Sequence, residues 1–291
     1  MQYNILSNSH DIWTVCIPAQ IVRSFLRSQT WQSQRKEILD QNTVATVLTD
    51  EFVEYTFIQN THIPAGADET IYYQCYQKTN EYLAKMGISF DDVVRTWIYL
   101  DDIDASYSAF NDQRDRFYRE HGVFDKRVPA STAIGIPTRN ECKMVCHVLA
   151  ARKLSDQVSI HAVPSPLQCS AMDYKVSFSR ALEIKTGGYR RLLISGTASI
   201  DAEGRTVYTD SIEKQTEQTA KVTDALLASN AMTPQHITRL LSYTKRHEEC
   251  EFAKQFVGKW LPEQAEVLDV HADICRDDLL FEIEAEAMFF K

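Results

Sequence analysis

The pattern of apolar and polar positions repeats itself along this chain. Tyr76–Tyr99 reads YQKTNEYLAKMGISFDDVVRTWIY, and Ala220–Tyr243, at a constant offset of 144 residues, reads AKVTDALLASNAMTPQHITRLLSY. Each segment opens as a helix, with apolar residues at helical spacing: Tyr82, Leu83 and Met86 in one, Leu226, Leu227 and Met232 in the other. A helix stop follows, Gly87 or the Asn230–Ala231 pair. Next comes a short polar turn, Ser89 and Asp91 or Thr233 and Pro234, and then a strand, VVRTWIYL or ITRLLSYT. Arg95 falls on Arg239 and Tyr99 on Tyr243.

The flanking pattern keeps the same order. A second helix is expected over Ala105–Arg119 and over His247–Trp260. Two strands close each half, ASTAIGI and KMVCHVLAA in the first, AEVLDVHAD and LLFEIEAEAMFF in the second. Two strands open each half, TVATVLT and EYTFIQNTHI, then SFSRALEI and RLLISGTASI. The predicted order is therefore β-β-α-β-α-β-β, twice. That is an α+β fold, each module a mixed sheet with two helices packed on one face, and a tandem duplication of a module of roughly 115–125 residues. The expected boundaries are 41–154 for the first module and 166–291 for the second. A join lies between Leu154 and Pro166, where SDQVSIHAVPSP interrupts the pattern with two prolines. Residues 1–40 stand outside the repeat as an N-terminal extension, with a strand in IWTVCIPA and a helix from Gln20 to Leu39.

Bulk properties narrow the function classes. The 291 residues suffice for two cores, and 9 Gly and 8 Pro leave little room for long disordered stretches. A net charge of −9 argues against nonspecific nucleic-acid binding, which needs a basic surface, but leaves room for a small basic pocket. The seven cysteines are irregularly spaced, and Cys142 and Cys146 have no second pair at a zinc-site spacing. MQYNILSNSHDIW has neither the basic nor the apolar region of a secretory leader, and no apolar run approaches membrane-helix length. The expectation is a cytoplasmic protein with free thiols and no membrane partner. No HExxH, Walker, GxGxxG or EF-hand pattern occurs, so neither a metal nor a nucleotide cofactor is inferred.

These segments in this order resemble the Rid (YjgF, endoribonuclease L-PSP-like) superfamily, related in fold to a bacterial chorismate mutase. LLISGTASI resembles that family's SGQIP-type strand and FEIEAEAMFF its closing IEIEAIA-type strand. VVRTWIYLDDI and RVPASTAIGI resemble two further family segments, so the likeness runs from about residue 42 to 290. A narrower resemblance is to the chorismatases, tandem enzymes of secondary metabolism that act on chorismate. They share SGTASI (Ser195–Ile200), SFSRA (Ser177–Ala181), a PAST-G-IG-like segment (Pro129–Gly135) and a proline-led approach to the second module, PSPLQCSAMDY. The chain departs from them after SGTASI, where it has DAEGRTVYTD.

Glu282, Glu284 and Glu286 alternate with Phe281, Ile283, Ala285 and Ala287, so the acids share one face of the closing strand. The ordinary reading is a solvated face. A row of like charges on a central strand is nevertheless costly unless a member is paired or protonated. The resemblance makes Glu282 the catalytic acid, on a face that lines an intersubunit cleft in Rid trimers, where a half-buried carboxyl can donate a proton. The first half offers Cys146 or His147 at this place, so one pocket per pair, built from both halves, is expected to carry the chemistry. The arginine with which the family's imine deaminases clamp a carboxylate falls on Ser131 and Val267, which argues against ordinary 2-aminoacrylate deamination. Arg276, Arg127, Arg114, Arg119 and Arg180 are nearby cations whose ordinary reading is a surface arginine. Arg180 stands apart because it interrupts a strand and matches the chorismatase segment.

Tyr174 and Tyr243 are candidate substrate hydrogen-bonding groups, Tyr243 equally a strand aromatic like Tyr99. Gly196, beside Thr197, fits a close approach of backbone to ligand or neighbouring strand. Cys275, seven residues before Glu282 as in some chorismatases, is more often a buried thiol than a nucleophile. The expected partner is a small anionic substrate held by Arg180, Arg276, Tyr174, Tyr243, Gly196, Thr197 and Cys275. The resemblance further implies a homo-oligomer, by analogy a trimer. The reaction expected is a chorismatase-like hydrolysis or lysis of a carboxylate-bearing enol ether. An imine or enamine hydrolase with a rebuilt anion clamp, or a non-catalytic binding module, are the alternatives.

Overall fold

The computed structural model describes residues 3–4, 13–63, 70–138 and 142–291. The chain divides into two compact units, one of residues 9–159 and one of residues 160–291 with the N-terminal strand β1 (Tyr3–Asn4).

In the first unit α1 (Trp13–Arg27), β2 (Ser33–Ile38), β3 (Val44–Thr49) and β4 (Val53–His62) precede α2 (Ile71–Lys85) and β5 (Val93–Leu100). Then come α3 (Ile103–Glu120), β6 (Ala130–Gly135) and β7 (Met144–Lys153). The strands lie in the order β6-β5-β7-β4-β3-β2, with β5 and β6 parallel. Tyr76 of α2 packs against Phe90 and against Phe117 and Tyr118 of α3, an aromatic core over one face of the sheet.

The second unit holds β8 (Ser159–Val163), β9 (Ala181–Lys185), β10 (Tyr189–Ala198), α4 (Ile212–Ser229) and β11 (Ile237–Thr244). It continues with α5 (Cys250–Trp260), β12 (Glu266–His271), a two-residue β13 (Asp273–Ile274) and β14 (Phe281–Phe290). The order is β1-β12-β11-β14-β10-β9-β8, with β14 antiparallel to both neighbours and β12 parallel to β11. Phe281, Ile283, Ala285 and Ala287 of β14 join Leu226, Leu227, Ala253 and Val257 of the two helices in one core. The predicted β-β-α-β-α-β-β order is thus present in both halves.

The repeat extends to backbone detail. The turn after each first helix is left-handed at the same place, Gly87 at φ 71° and Ala231 at φ 52°. Each following 3-10 turn is closed by a reciprocal capping box, Ser89 with Asp92 and Thr233 with His236. The second opening strand slips register by a bulge in both units, between Ile58 and Thr61 and between Ile194 and Thr197.

The N-terminal forty residues correct the sequence-based expectation. IWTVCIPA is not a strand, since residues 13–27 are helical with Pro18 inside, and Ile17, Ile21, Val22 and Phe25 bury one stripe. A short apolar run does not distinguish strand from buried helix. The expected helix to Leu39 is broken instead by β2, SQRKEI, an exposed charged edge strand held by its ladder to β3. The proline-interrupted join likewise contains a strand, β8, at the edge of the second sheet. Among the described residues no helix is long and apolar enough to cross a membrane.

Ala231 adopts a backbone that favours glycine. Ala231→Gly should therefore raise unfolding stability by about 1 kcal/mol, and Gly87→Ala should lower it by a similar amount. Denaturant titration of the variants checks both signs.

Candidate active site

The closing strand β14 is central in its sheet and carries the acidic row. The row is not the solvated face that alternation alone allows: Glu282, Glu284 and Glu286 are 5 %, 1 % and 1 % exposed. Glu286 lies across from Arg239 of β11 and Leu193 of β10. It is ion-paired with Arg191 and, at 3.3 Å, with Arg239, both buried. Two guanidiniums thus compensate one buried carboxylate. Glu282, at the other end of the row, lies directly across from Tyr243 on β11 and Ala198 on β10, so these three side chains share one face. Gly196 and Thr197 sit in or beside the β10 bulge that brings Ala198 opposite Glu282, and Thr197 Oγ1 donates to the Ser195 carbonyl at 2.9 Å.

Beside this strand end the fold assembles a cationic cluster. Arg180, buried just ahead of β9, donates from Nε and Nη2 to the Cys169 carbonyl at 3.0 and 2.9 Å. Its guanidinium carbon lies 5.4 Å from the centroid of the Tyr174 ring. That of Arg276 lies 5.3 Å from the same centroid. Arg276 Nη1 donates to the Gly204 carbonyl at 2.9 Å and to Thr206 Oγ1 at 3.4 Å. Gly204 has φ 80°, and a Cβ there would meet the Tyr174 ring at 3.1 Å, so the 201–206 turn packs directly on Tyr174. Burial pushes the Tyr174 phenol up, Arg180 and Arg276 pull against it, and Cys275 adds to the rise, so the phenol is a proton-bearing donor at neutral pH. Among the described residues neither Arg180 nor Arg276 forms an ion pair with a carboxylate. Cys275 packs with Ala198, Ile200, Ile274 and Leu279, which places the cluster at the end of β10.

Gln168 links the two groups. Its Nε2 donates to the carbonyls of Ala198 and Ile200, each at 3.0 Å, and the next residue, Cys169, anchors Arg180. Arg180, Arg276, Tyr174 and Cys275 are therefore brought together, as are Glu282 and Tyr243 on neighbouring strands, whereas Gly196 lies in the β10 bulge and Thr197 pairs with Ile283, on the other face from Glu282. Gln168, Cys169, Gly204 and Thr206 escaped the sequence reading. All four lie in irregular segments whose pairing no periodicity reveals.

The first unit has a different row. Tyr99 faces Val145 as Tyr243 faces Glu282, Trp97 faces His147 as Leu241 faces Glu284, and Arg95 faces Leu149 as Arg239 faces Glu286. The counterpart of Glu282 is thus Val145, neither Cys146 nor His147. His147 replaces Glu284, and Cys146 points the other way, its thiol pushed up to about 12 by burial. Burial pushes His147 down to about 3, and the Asn60 backbone N–H donates to its Nδ1 at 3.0 Å, so the ring is neutral with the proton on Nε2. The family's arginine positions behave as the sequence indicates: Ser131 accepts from Thr96 Oγ1 at 2.7 Å and Val267 lies in the apolar core. The described cysteines, Cys75, Cys142, Cys146, Cys169, Cys250 and Cys275, are free.

Two sequentially repeated sheets, each with a pair of helices on one face, and a single buried acid row define a tandem α+β protein with one acidic strand. Residues 29–150 match the family model for the N-terminal part of FkbO/Hyg5-like chorismatases. The chain is 25 % identical over 281 aligned positions to a chorismatase from Streptomyces hygroscopicus, covering 88 % of this chain and 78 % of that one. A crystal structure of a chorismatase superposes with a TM-score of 0.71 at 22 % identity, over 89 % of this chain and 80 % of that one. In fold and over most of its length, this chain is chorismatase-like.

Removing Glu286 leaves two buried guanidiniums without their shared carboxylate. Glu286→Ala should cost about 3–5 kcal/mol of stability, read as a lowered denaturant midpoint. His147 has its folded pKa below the unfolded value, so the unfolded chain takes the proton first as pH falls. Its stabilising contribution is present above pH ~6.5 and declines below it, by about 2 kcal/mol between pH 7 and 5. The stability of His147→Gln should fall correspondingly less than that of the wild type over this interval; equal slopes would contradict the assignment.

Proposed function

We propose that this chain is a hydrolase or lyase of chorismatase type, acting on a carboxylate-bearing enol ether with Glu282 as general acid. One observation carries the reading. Two arginines, anchored by neutral carbonyls rather than carboxylates, flank Tyr174 at the strand end where Ala198 faces Glu282. Guanidiniums left uncompensated suit a carboxylate ligand, which they bind by charge-assisted hydrogen bonds.

The chemistry follows from this placement. Glu282 delivers its proton to the terminal methylene carbon of an enolpyruvyl ether, and the double-bond electrons form the new C–H bond. The resulting oxocarbenium carbon takes up water, which gives a proton back to the Glu282 carboxylate. The hemiketal then breaks its C–O bond, giving pyruvate and the alcohol. The net change is the addition of one water and the cleavage of one ether bond. Arg180 and Arg276 hold substrate carboxylates, and the Tyr174 phenol, protonated at neutral pH, offers one further donor. Tyr243 beside Glu282 fixes the lateral position of the reacting group. The relative's name makes chorismate the first substrate to try. Ser131 and Val267 in place of the deaminase arginines count against an imine substrate.

Purified protein incubated with chorismate should release pyruvate, followed by a lactate dehydrogenase-coupled assay. Glu282→Gln should lower kcat by roughly 10²–10⁴-fold with little change in KM. Folded wild-type protein that releases no pyruvate overturns the reading and turns attention to imines and to ligand binding without turnover.

A further inference from the structure

The carboxamide of Gln168 is oriented without ambiguity. Both partners of its nitrogen are backbone carbonyls, of Ala198 and Ile200 at 3.0 Å each, which accept and cannot donate. Flipping the amide would set oxygen against oxygen twice. Both N–H groups are therefore spent. Oε1 is left buried with no partner among the described residues, on a side chain only 5 % exposed. A buried acceptor without a donor costs free energy, and a ligand donor at the site would offset that cost.

Its location indicates what that is. Ala198, one of the two carbonyl partners, is the residue facing Glu282 across the β10–β14 ladder. Ile200, the other, belongs with Cys275 to the apolar cluster at the strand end. The residue after Gln168 holds Arg180 through its carbonyl. Gln168 is thus bonded to the segment that faces Glu282 and is the sequence neighbour of the residue that holds Arg180. Carboxylate groups of a ligand are acceptors and belong on the arginines. An ammonium donor is disfavoured beside two guanidiniums. A neutral hydroxyl is the group that fits.

We propose that Gln168 is a specificity-determining residue for the reaction set out above, on which this inference rests: its Oε1 accepts a hydrogen bond from a hydroxyl of the bound substrate. A substrate without that hydroxyl leaves the acceptor buried and bare in the complex, so the site selects for hydroxyl-bearing enolpyruvyl ethers.

The test compares chorismate with its analogue in which hydrogen replaces the ring hydroxyl, in wild type and in Gln168→Met. Wild type should favour chorismate in kcat/KM by roughly ten- to a hundred-fold, and the variant should bring the ratio close to unity. A purely structural role for the Ala198 and Ile200 bonds lowers both substrates together and leaves the ratio unchanged, which overturns the proposal. A wild type that does not discriminate overturns it equally. If Gln168→Met fails to fold, Gln168→Lys, which keeps donors for the two carbonyls but has no acceptor, takes its place with the same expected loss of discrimination. Should wild type release no pyruvate, the catalytic reading fails by itself. The ratio of Kd values for the two compounds, measured by calorimetry, then decides the role of Gln168. A ratio unchanged by the substitution, or no binding of either compound, overturns it.

Discussion

Three glutamates on the buried side of a central strand are the constraint around which the second unit is built. Each carboxylate taken from water carries a desolvation cost of several kcal/mol unless charge and hydrogen bonds offset it. The fold meets this at one end of β14 by setting Arg191 and Arg239 against Glu286. The opposite face of the same strand is wholly apolar and lies against the helices. A one-residue slip of β14 would move the acids into that helical core, so the acid row also locks the register. The bulge in β10 between Ile194 and Thr197 then decides what faces the row's other end. Without it Ala198 would not stand opposite Glu282, and the SGT segment would run straight through.

The first unit shows what the same architecture does when the constraint is lifted. Its corresponding row is Val145, His147 and Leu149, with Trp97 and Tyr99 on the neighbouring strand. The one polar member, His147, is held neutral by burial and fixed by the Asn60 backbone N–H in the bulge of the neighbouring strand β4. Arg95, the counterpart of Arg239, has no carboxylate across from it; it donates to Thr132 and lies over Trp97. The bulge and the turns survive duplication because they are backbone devices. The acids do not: Leu149 stands opposite Arg95 where Glu286 stands opposite Arg239. A valine cannot deliver a proton and a neutral imidazole so deeply buried is not charged to do so, which assigns the proposed acid chemistry to the second unit.

The sequence alone disclosed what depends on periodicity. The 144-residue offset carried the helix stops, the polar turns and the β5–β11 correspondence into the structure unchanged. Alternation in FEIEAEAMFF placed the acids on one face, but burial of that face depends on tertiary packing and could not be read from it. The offset fails at the closing strands, since the loops before them differ in length, and this is why Cys146 and His147 were set against Glu282 where Val145 belongs. The N-terminal segment was misread for two local reasons. An apolar stretch containing a proline resembles a strand, and the charged edge strand SQRKEI has no alternation and a single apolar residue, Ile38, to announce it. Arg180, Arg276 and Tyr174 were legible as residue types in suggestive segments. Their meeting over one aromatic ring, and the part of Gln168 and Gly204 in it, comes from loop geometry with no sequence period.

The buried or half-buried arginines of the second unit fall into two kinds, and the difference separates structure from site. Arg190, Arg191 and Arg239 are paired with carboxylates, so their charge is neutralised within the protein and little of it is available to a ligand. Arg180 and Arg276 rest on backbone carbonyls, a threonine hydroxyl and the face of Tyr174. Dipoles and an aromatic quadrupole orient a guanidinium without cancelling its charge. In a chain with a net charge of −9 such cations could have been given acidic partners. Two guanidiniums at one aromatic ring with no carboxylate partner among the described residues would gain from a bound anion, which supports the proposed anion site. The same logic underlies the proposal for Gln168, whose amide oxygen is buried with no partner among the described residues. Two such cations, the Gln168 acceptor and the Glu282 carboxyl across from Ala198 are the polar groups that the proposed substrate, an acidic, hydroxylated enol ether, would meet.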